Sequence, residues 1–176
     1  MARGRNDQIE PAHHGGRSSR ELRHPLRDTL FHMKIHVREA LPADVDLARA
    51  LYFETMRPMI ESLFGWDQRR QEESFAEWFH LQETAIIVAD GRDVGWMQTR
   101  ANEREVFLGS LYVIPAMQRL GIGTRILRKL LSQCEHSAKA LTLAVMKINP
   151  AIHLYQRLGF RVTHEDQYKF YMRADG

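Results

Sequence analysis

A mixed α/β fold is the architecture this sequence predicts, and three observations predict it. Residues 106–114 and 141–146 are rich in β-formers and apolar on both faces, as buried central strands are. Between them Ile122, Ile126, Leu127, Leu130, Leu131 and Cys134 recur at helical spacing. A strand, an amphipathic crossover helix and a strand form a βαβ unit, which sets the two strands parallel. Two more β-rich runs, 84–89 and 94–100, flank Asp90-Gly91-Arg92-Asp93 and read as an antiparallel hairpin.

The remaining elements follow in chain order. Residues 1–32 are rich in Arg, His, Gly and Ser without periodicity, and read as a disordered tail preceding one domain over 33–176. Met33 directly before the first strand is a candidate natural start. Residues 34–38 form that strand. A helix is expected from about Asp44 to Thr55, with Leu47, Ala48, Leu51 and Tyr52 on one stripe. Pro58 opens a second helix that Gly65 stops, and Asp67 caps a third reaching Phe79. Two strands, near 161–164 and 168–172, close the chain. There are no internal repeats.

Chemistry concentrates in two motifs. Gln118-Arg119-Leu120-Gly121-Ile122-Gly123 opens the crossover helix. The first turn of a helix leaves N–H groups without partners at the positive end of its dipole, and glycines let a phosphate approach them. Arg119 adds a charge-assisted bond. The Walker pattern is absent, because Gly123-Thr124-Arg125 lacks its Gly-Lys-Ser/Thr. The dinucleotide fingerprint is absent too, because Ile126 stands where its third glycine belongs. The second motif is Asn149-Pro150-Ala151-Ile152-His153-Leu154-Tyr155-Gln156-Arg157-Leu158-Gly159-Phe160. Asn149 suits an N-cap, Pro150 the first helical position and Gly159 the position past the end. Tyr155 lies on its apolar stripe, where packing is the plainer reading. A phenol of ordinary pKa ~10 also keeps its proton at neutral pH and can donate it.

These two motifs, in this order, resemble those of the GNAT superfamily of acyl-CoA N-acyltransferases. The resemblance covers about 34–173. It implies a mostly antiparallel sheet with helices on both faces, and acetyl-CoA in a gap where two parallel strands splay apart. By that resemblance Leu111, Tyr112 and Val113 meet the pantetheine arm. The amides of Gln118, Arg119, Leu120, Gly121, Ile122, Gly123 and Thr124 hold the pyrophosphate, and Asn149 touches the carrier. Tyr155 protonates the departing thiolate while an acceptor amine attacks directly. Many relatives carry a glutamate where this chain has Phe107. The candidate bases here are Glu105, two residues earlier on the same face, and Glu54. Arg57, Glu61, Trp66 and Trp96 fall in the region expected to bind the acceptor, a primary amine of a small molecule or peptide. The competing reading is an acyl-CoA-binding sensor or interaction module without activity, which Phe107 favours.

Composition bounds the partners. The net charge is +3, and the first 32 residues carry six arginines against four acids. The remainder is close to neutral, which does not call for nucleic acid. The lone Cys134 excludes an intramolecular disulfide and suits a reducing compartment, so the cytoplasm is expected. No apolar run is long enough to span a membrane. No Cys/His spacing suggests a metal site. Monomer and homodimer both remain open.

Overall fold

The computed structural model describes residues 33–175, and the expected tail over 1–32 lies outside them. Seven strands form one sheet: β1 Ile35–Glu39, β2 Thr84–Ala89, β3 Arg92–Ala101, β4 Glu105–Val113, β5 Ala140–Met146, β6 Arg161–Glu165 and β7 Lys169–Ala174. Their spatial order is β1-β2-β3-β4-β5-β7-β6. Every neighbouring pair is antiparallel except β4 and β5, which run parallel. The expected hairpin is β2–β3, turning through Asp90 and Gly91, both at positive φ.

Helices cover both faces. Helices α1 (Val45–Phe64) and α2 (Gln68–Trp78) pack on one face, and α3 (Ile122–His136) and α4 (Ile152–Arg157) on the other. Alternation along the strands divides the core. Ile86 and Trp96 point toward α1 and α2, while their neighbours Ile87 and Met97 point toward α3. The α1–α2 side is built of rings. Trp96 is fully buried, stacks on Trp78 with centroids 6.0 Å apart, and meets Tyr112 at 5.0 Å. Its indole N–H donates to the Ala48 carbonyl at 3.1 Å, so the ring is buried with its polar atom satisfied.

Two local readings change. The expected break at Pro58 does not occur, and α1 is one continuous helix containing that proline. An interior proline removes one ladder bond and costs about 3 kcal/mol. Burial on both sides of it, Ala48, Leu51 and Tyr52 before and Ile60 after, holds the helix together. The regular turns of α4 begin at Ile152, later than Asn149 and Pro150 suggest. The Asn149 side chain instead accepts the Ala151 N–H at 2.9 Å, forming an Asx turn that leads into the helix.

Outside the site, Arg38 bridges Asp44 and Asp93, each at 2.7 Å. The Arg38 hydrogen bond holds the Asp44 carboxyl down at about 2, helped by the Leu41 N–H. Its stabilisation is therefore complete above an unfolded carboxylate's ~3.9 and is lost as pH falls toward 2. Urea melts at pH 7 and pH 2.5 should show Asp44→Asn costing about 1–3 kcal/mol at the higher pH and markedly less at the lower. A second expectation concerns β3. A Cβ on Gly95 would collide with the Tyr112 carbonyl oxygen on β4. Gly95→Ala should destabilise by about 1–3 kcal/mol in the same assay.

Candidate active site

The parallel pair does not stay paired. Strands β4 and β5 are in register from Glu105↔Ala140 to Leu108↔Leu143 and part beyond that point. On its other edge β4 carries a bulge, because Thr99 pairs with Leu108 and Gln98 with Ser110, leaving Gly109 as the extra residue. The parted strands open a cleft of about 980 Å³, walled by residues 108–112 on one side and 143–146 on the other. The Ile114 N–H donates to Val94 on β3 at 2.8 Å. Backbone groups alternate along a strand, so those of Leu111 and Val113 face the gap. Val113 has its carbonyl engaged by the Gln118 side-chain amide at 2.9 Å.

At the open end of β4 the chain turns into α3. Arg119 is left-handed at φ 63°, and so is Gly121 at φ 81°. These turns gather the amides at the head of the helix. The N–H groups of residues 119–124 donate to no acceptor among the described residues. Six consecutive amides without acceptors at a helix N-terminus have the form of a nest, the kind of feature that suits an anion. Gln118 differs from the expectation, since its N–H closes a turn onto the Pro115 carbonyl at 3.2 Å. It braces the nest rather than contributing an amide. Arg125 fixes the first turn of α3 by donating to the Met33 carbonyl at 2.7 Å.

Tyr155 and Asn149 both reach the cleft. The Tyr155 ring packs edge-on to Phe160 with centroids 5.7 Å apart. Its hydroxyl bonds to no protein group among the described residues, although the residue is buried. Desolvation pushes its pKa up to about 12, so the phenol stays protonated well above neutral pH. Tyr112 is pushed up further by its own burial, with Tyr52 and Tyr155 adding to the shift and the Ser110 hydroxyl opposing it.

The acceptor-side expectations divide. Trp66 lines the cleft, with its indole N–H donating to Gln68 at 3.0 Å. Arg57 lies outside the lining, over the Trp66 ring at 5.2 Å and 3.8 Å from Glu61. Trp96 belongs to the core and not to an acceptor wall. Glu105 sits at the paired end of β4, away from the opening, against Arg173 at 3.4 Å. Glu54 is exposed on α1 and takes no part in the lining. The cleft instead gathers residues that the motifs did not mark: Tyr52, Gln71, Ser110, Asp166 and Tyr168. Tyr52 donates to Gln71 at 3.2 Å, and Asp166 accepts the N–H groups of Tyr168 and Lys169. The one local signal for the last group was Asp166, a turn-former between two strands.

The chain has recognisable relatives. The family model for the acetyltransferase (GNAT) family matches residues 48–160. The chain belongs to the GNAT family. Its curated relatives include the human cysteine-rich protein 2-binding protein, 36% identical over 135 residues, which are 74% of this chain and 16% of that protein. The mouse protein of the same name matches equally. The chain thus spans about one sixth of the length of the curated relatives it matches. Among solved structures, the PaiA N-acetyltransferase of Thermoplasma acidophilum, in complex with coenzyme A, has a TM-score of 0.66 at 18% identity, covering 81% of this chain and 99% of that one. The ribosomal-protein-S18-alanine N-acetyltransferase of Escherichia coli has a TM-score of 0.57 at 21% identity, covering 81% and 94%. Arabidopsis thaliana Naa50, in complex with the bisubstrate analogue CoA-Ac-MVNAL, has a TM-score of 0.56 at 16% identity, covering 81% and 99%. At these identities the structural likeness speaks for the GNAT fold. Among the described residues no group of three or more His, Cys, Asp or Glu is placed to hold a metal ion. No described helix is long and apolar enough to cross a membrane.

The nest of this GNAT chain can be tested directly. Gly121→Val forces a β-branched residue into the left-handed region, which L residues avoid by about 1–2 kcal/mol, and turns its amide away. Calorimetry should show coenzyme A binding weakened about tenfold.

Proposed function

We propose that the protein transfers an acetyl group from acetyl-CoA to a primary amine of a small molecule or peptide, by direct attack. The observation that carries this reading is the protonated Tyr155 hydroxyl, without a partner among the described residues, on the cleft between parted β4 and β5, with the unbonded amides of 119–124 at the head of the helix that follows β4. The amides of residues 119–124 bind the pyrophosphate, and Arg119 supports them. The gap-facing backbone of Leu111 and Val113 pairs with the pantetheine arm, as an added strand would. Asn149, whose side-chain oxygen is already used, offers its NH₂ to the carrier. In this reading the thioester carbonyl, where negative charge develops in the tetrahedral intermediate, lies beside the ladder-free backbone of the Gly109 bulge. When the C–S bond breaks, Tyr155 gives its proton to the thiolate. Trp66 lines the acceptor's approach. The acetyltransferase domain is 33–176, and the single buried cysteine accords with a cytoplasmic setting.

A second reading, acyl-CoA binding without turnover, draws on Phe107 in place of an acidic side chain. One screen separates the two. Acetyl-CoA is offered with spermidine, Nα-acetyl-lysine amide or the peptide Met-Val-Asn-Ala-Leu, and thiol release is followed. Release with any of them supports transfer. A raised melting temperature with acetyl-CoA but no release supports the binding reading. Tyr155→Phe should lower kcat by about 10²-fold with little change in the KM for acetyl-CoA. Because the phenol keeps its proton up to about 12, that deficit should be constant from pH 6 to pH 10. A variant with unchanged kcat removes Tyr155 from the mechanism.

A further inference from the structure

A second concavity, of about 400 Å³, lies against the same strand and shares Trp78 and Gly109 with the cleft. An indole and a residue without a side chain are thus common to both spaces. Phe107 lines this second pocket, 40% exposed, with its ring edge 3.4 Å from where a Gly109 Cβ would stand. The amine must lose a proton before it can attack, and Phe107 cannot take one.

Four charged or titratable groups surround this space: Glu77 from α2, His80 from the turn after it, Glu83 before β2 and Arg100 from β3. Arg100 binds Glu83 with two hydrogen bonds, at 2.8 Å and 3.2 Å, and holds its carboxyl below the usual range, with His80 adding to the effect. Glu83 is therefore committed as an anion and is a poor base. Glu77 and His80 remain. Histidine is the residue type suited to accepting a proton near neutral pH.

The fold also fixes the His80 backbone. Its main-chain N–H donates to the Gln98 side-chain oxygen at 3.1 Å, and its main-chain carbonyl accepts the Thr84 hydroxyl at 2.8 Å. Gln98 also donates to the Trp78 carbonyl at 3.0 Å. Gln98 and Thr84 are only 7% and 5% exposed, at sheet positions where polar side chains are costly unless satisfied. Both are satisfied, and both act on the His80 turn.

We propose that His80 is the proton acceptor for the attacking amine, reached through the pocket beyond Trp78 and Gly109. The inference rests on the transferase reading above. The ammonium gives one proton, through pocket water, to the imidazole, and the neutral amine attacks the thioester carbon. A C–N bond forms, the C–S bond breaks, and the thiolate takes the Tyr155 proton. The second proton on nitrogen then restores the phenol. The imidazolium releases its proton to solvent through the open side of the pocket.

The test uses the full chain, acetyl-CoA and whichever of the three screened amines the wild type acetylates fastest. His80→Ala and His80→Gln should cut kcat/KM for the amine about 10²-fold at pH 7. The deficit should close toward pH 10, where an amine of pKa ~10.4 deprotonates by itself. The variants' kcat/KM should climb about tenfold per pH unit toward that value, and the wild type's less steeply. The melting shift with acetyl-CoA should match wild type, which shows a folded protein with its carrier site intact. An unchanged rate at pH 7, a deficit equal at every pH, or a loss carried by Glu77→Gln instead overturns the assignment to His80. Wild type releasing no thiol with any of the amines overturns the transferase reading and this inference together.

Discussion

The parting of β4 from β5 beyond Leu108 and Leu143 is the constraint on which the rest of the structure depends. Strand edges that lose their ladder partners need others, because backbone polar groups hidden from water cannot go unbonded. The β3 side of the gap carries two glycine features. Gly109 interrupts the β3–β4 register, and Gly95 lets β3 approach β4 closer than any side chain would permit. Below the gap, Leu108, Leu141 and Leu143 pack with α3 and keep the pair together. A paired lower half and a divergent upper half give the cleft its shape.

The nest at the head of α3 follows from the same place. A left-handed non-glycine residue such as Arg119 is held there at a cost of about 1–2 kcal/mol. The surroundings that impose it are visible: Gln118 is tied to Pro115 and Val113, and Arg125 to Met33. Strain of this kind is held by several anchors and ends in amides that have no acceptor among the described residues.

The two faces of the sheet divide the labour. The α3–α4 face carries an aliphatic core. The α1–α2 face carries stacked rings, with two buried polar side chains, Gln98 and Thr84, turned to bracing a loop. A ring-built core leaves flat walls, and Trp78 serves as wall for both the cleft and the pocket beside it.

The sequence by itself determined the elements whose signals are local. The β4–α3–β5 unit, the β2–β3 hairpin, the glycine-opened helix and the capped segment holding Tyr155 were legible because periodicity, capping and turn chemistry act over a few residues. Membership of the GNAT family was legible because two such motifs recur at a set spacing. Only the tertiary structure decided which of two similar residues meets the cleft. Trp66 and Trp96 carry the same chemistry, yet one lines the opening and the other stacks in the core, because strand alternation and helix packing aim them. Glu105 shares a face with Phe107, but it stands where β4 and β5 are still paired and meets Arg173, 68 residues further on. The helix runs through Pro58 because burial on both sides of it outweighs a local preference. His80 had no motif at all. Its place comes from Gln98 and Thr84, partners brought together by a sheet register that no short stretch of sequence encodes.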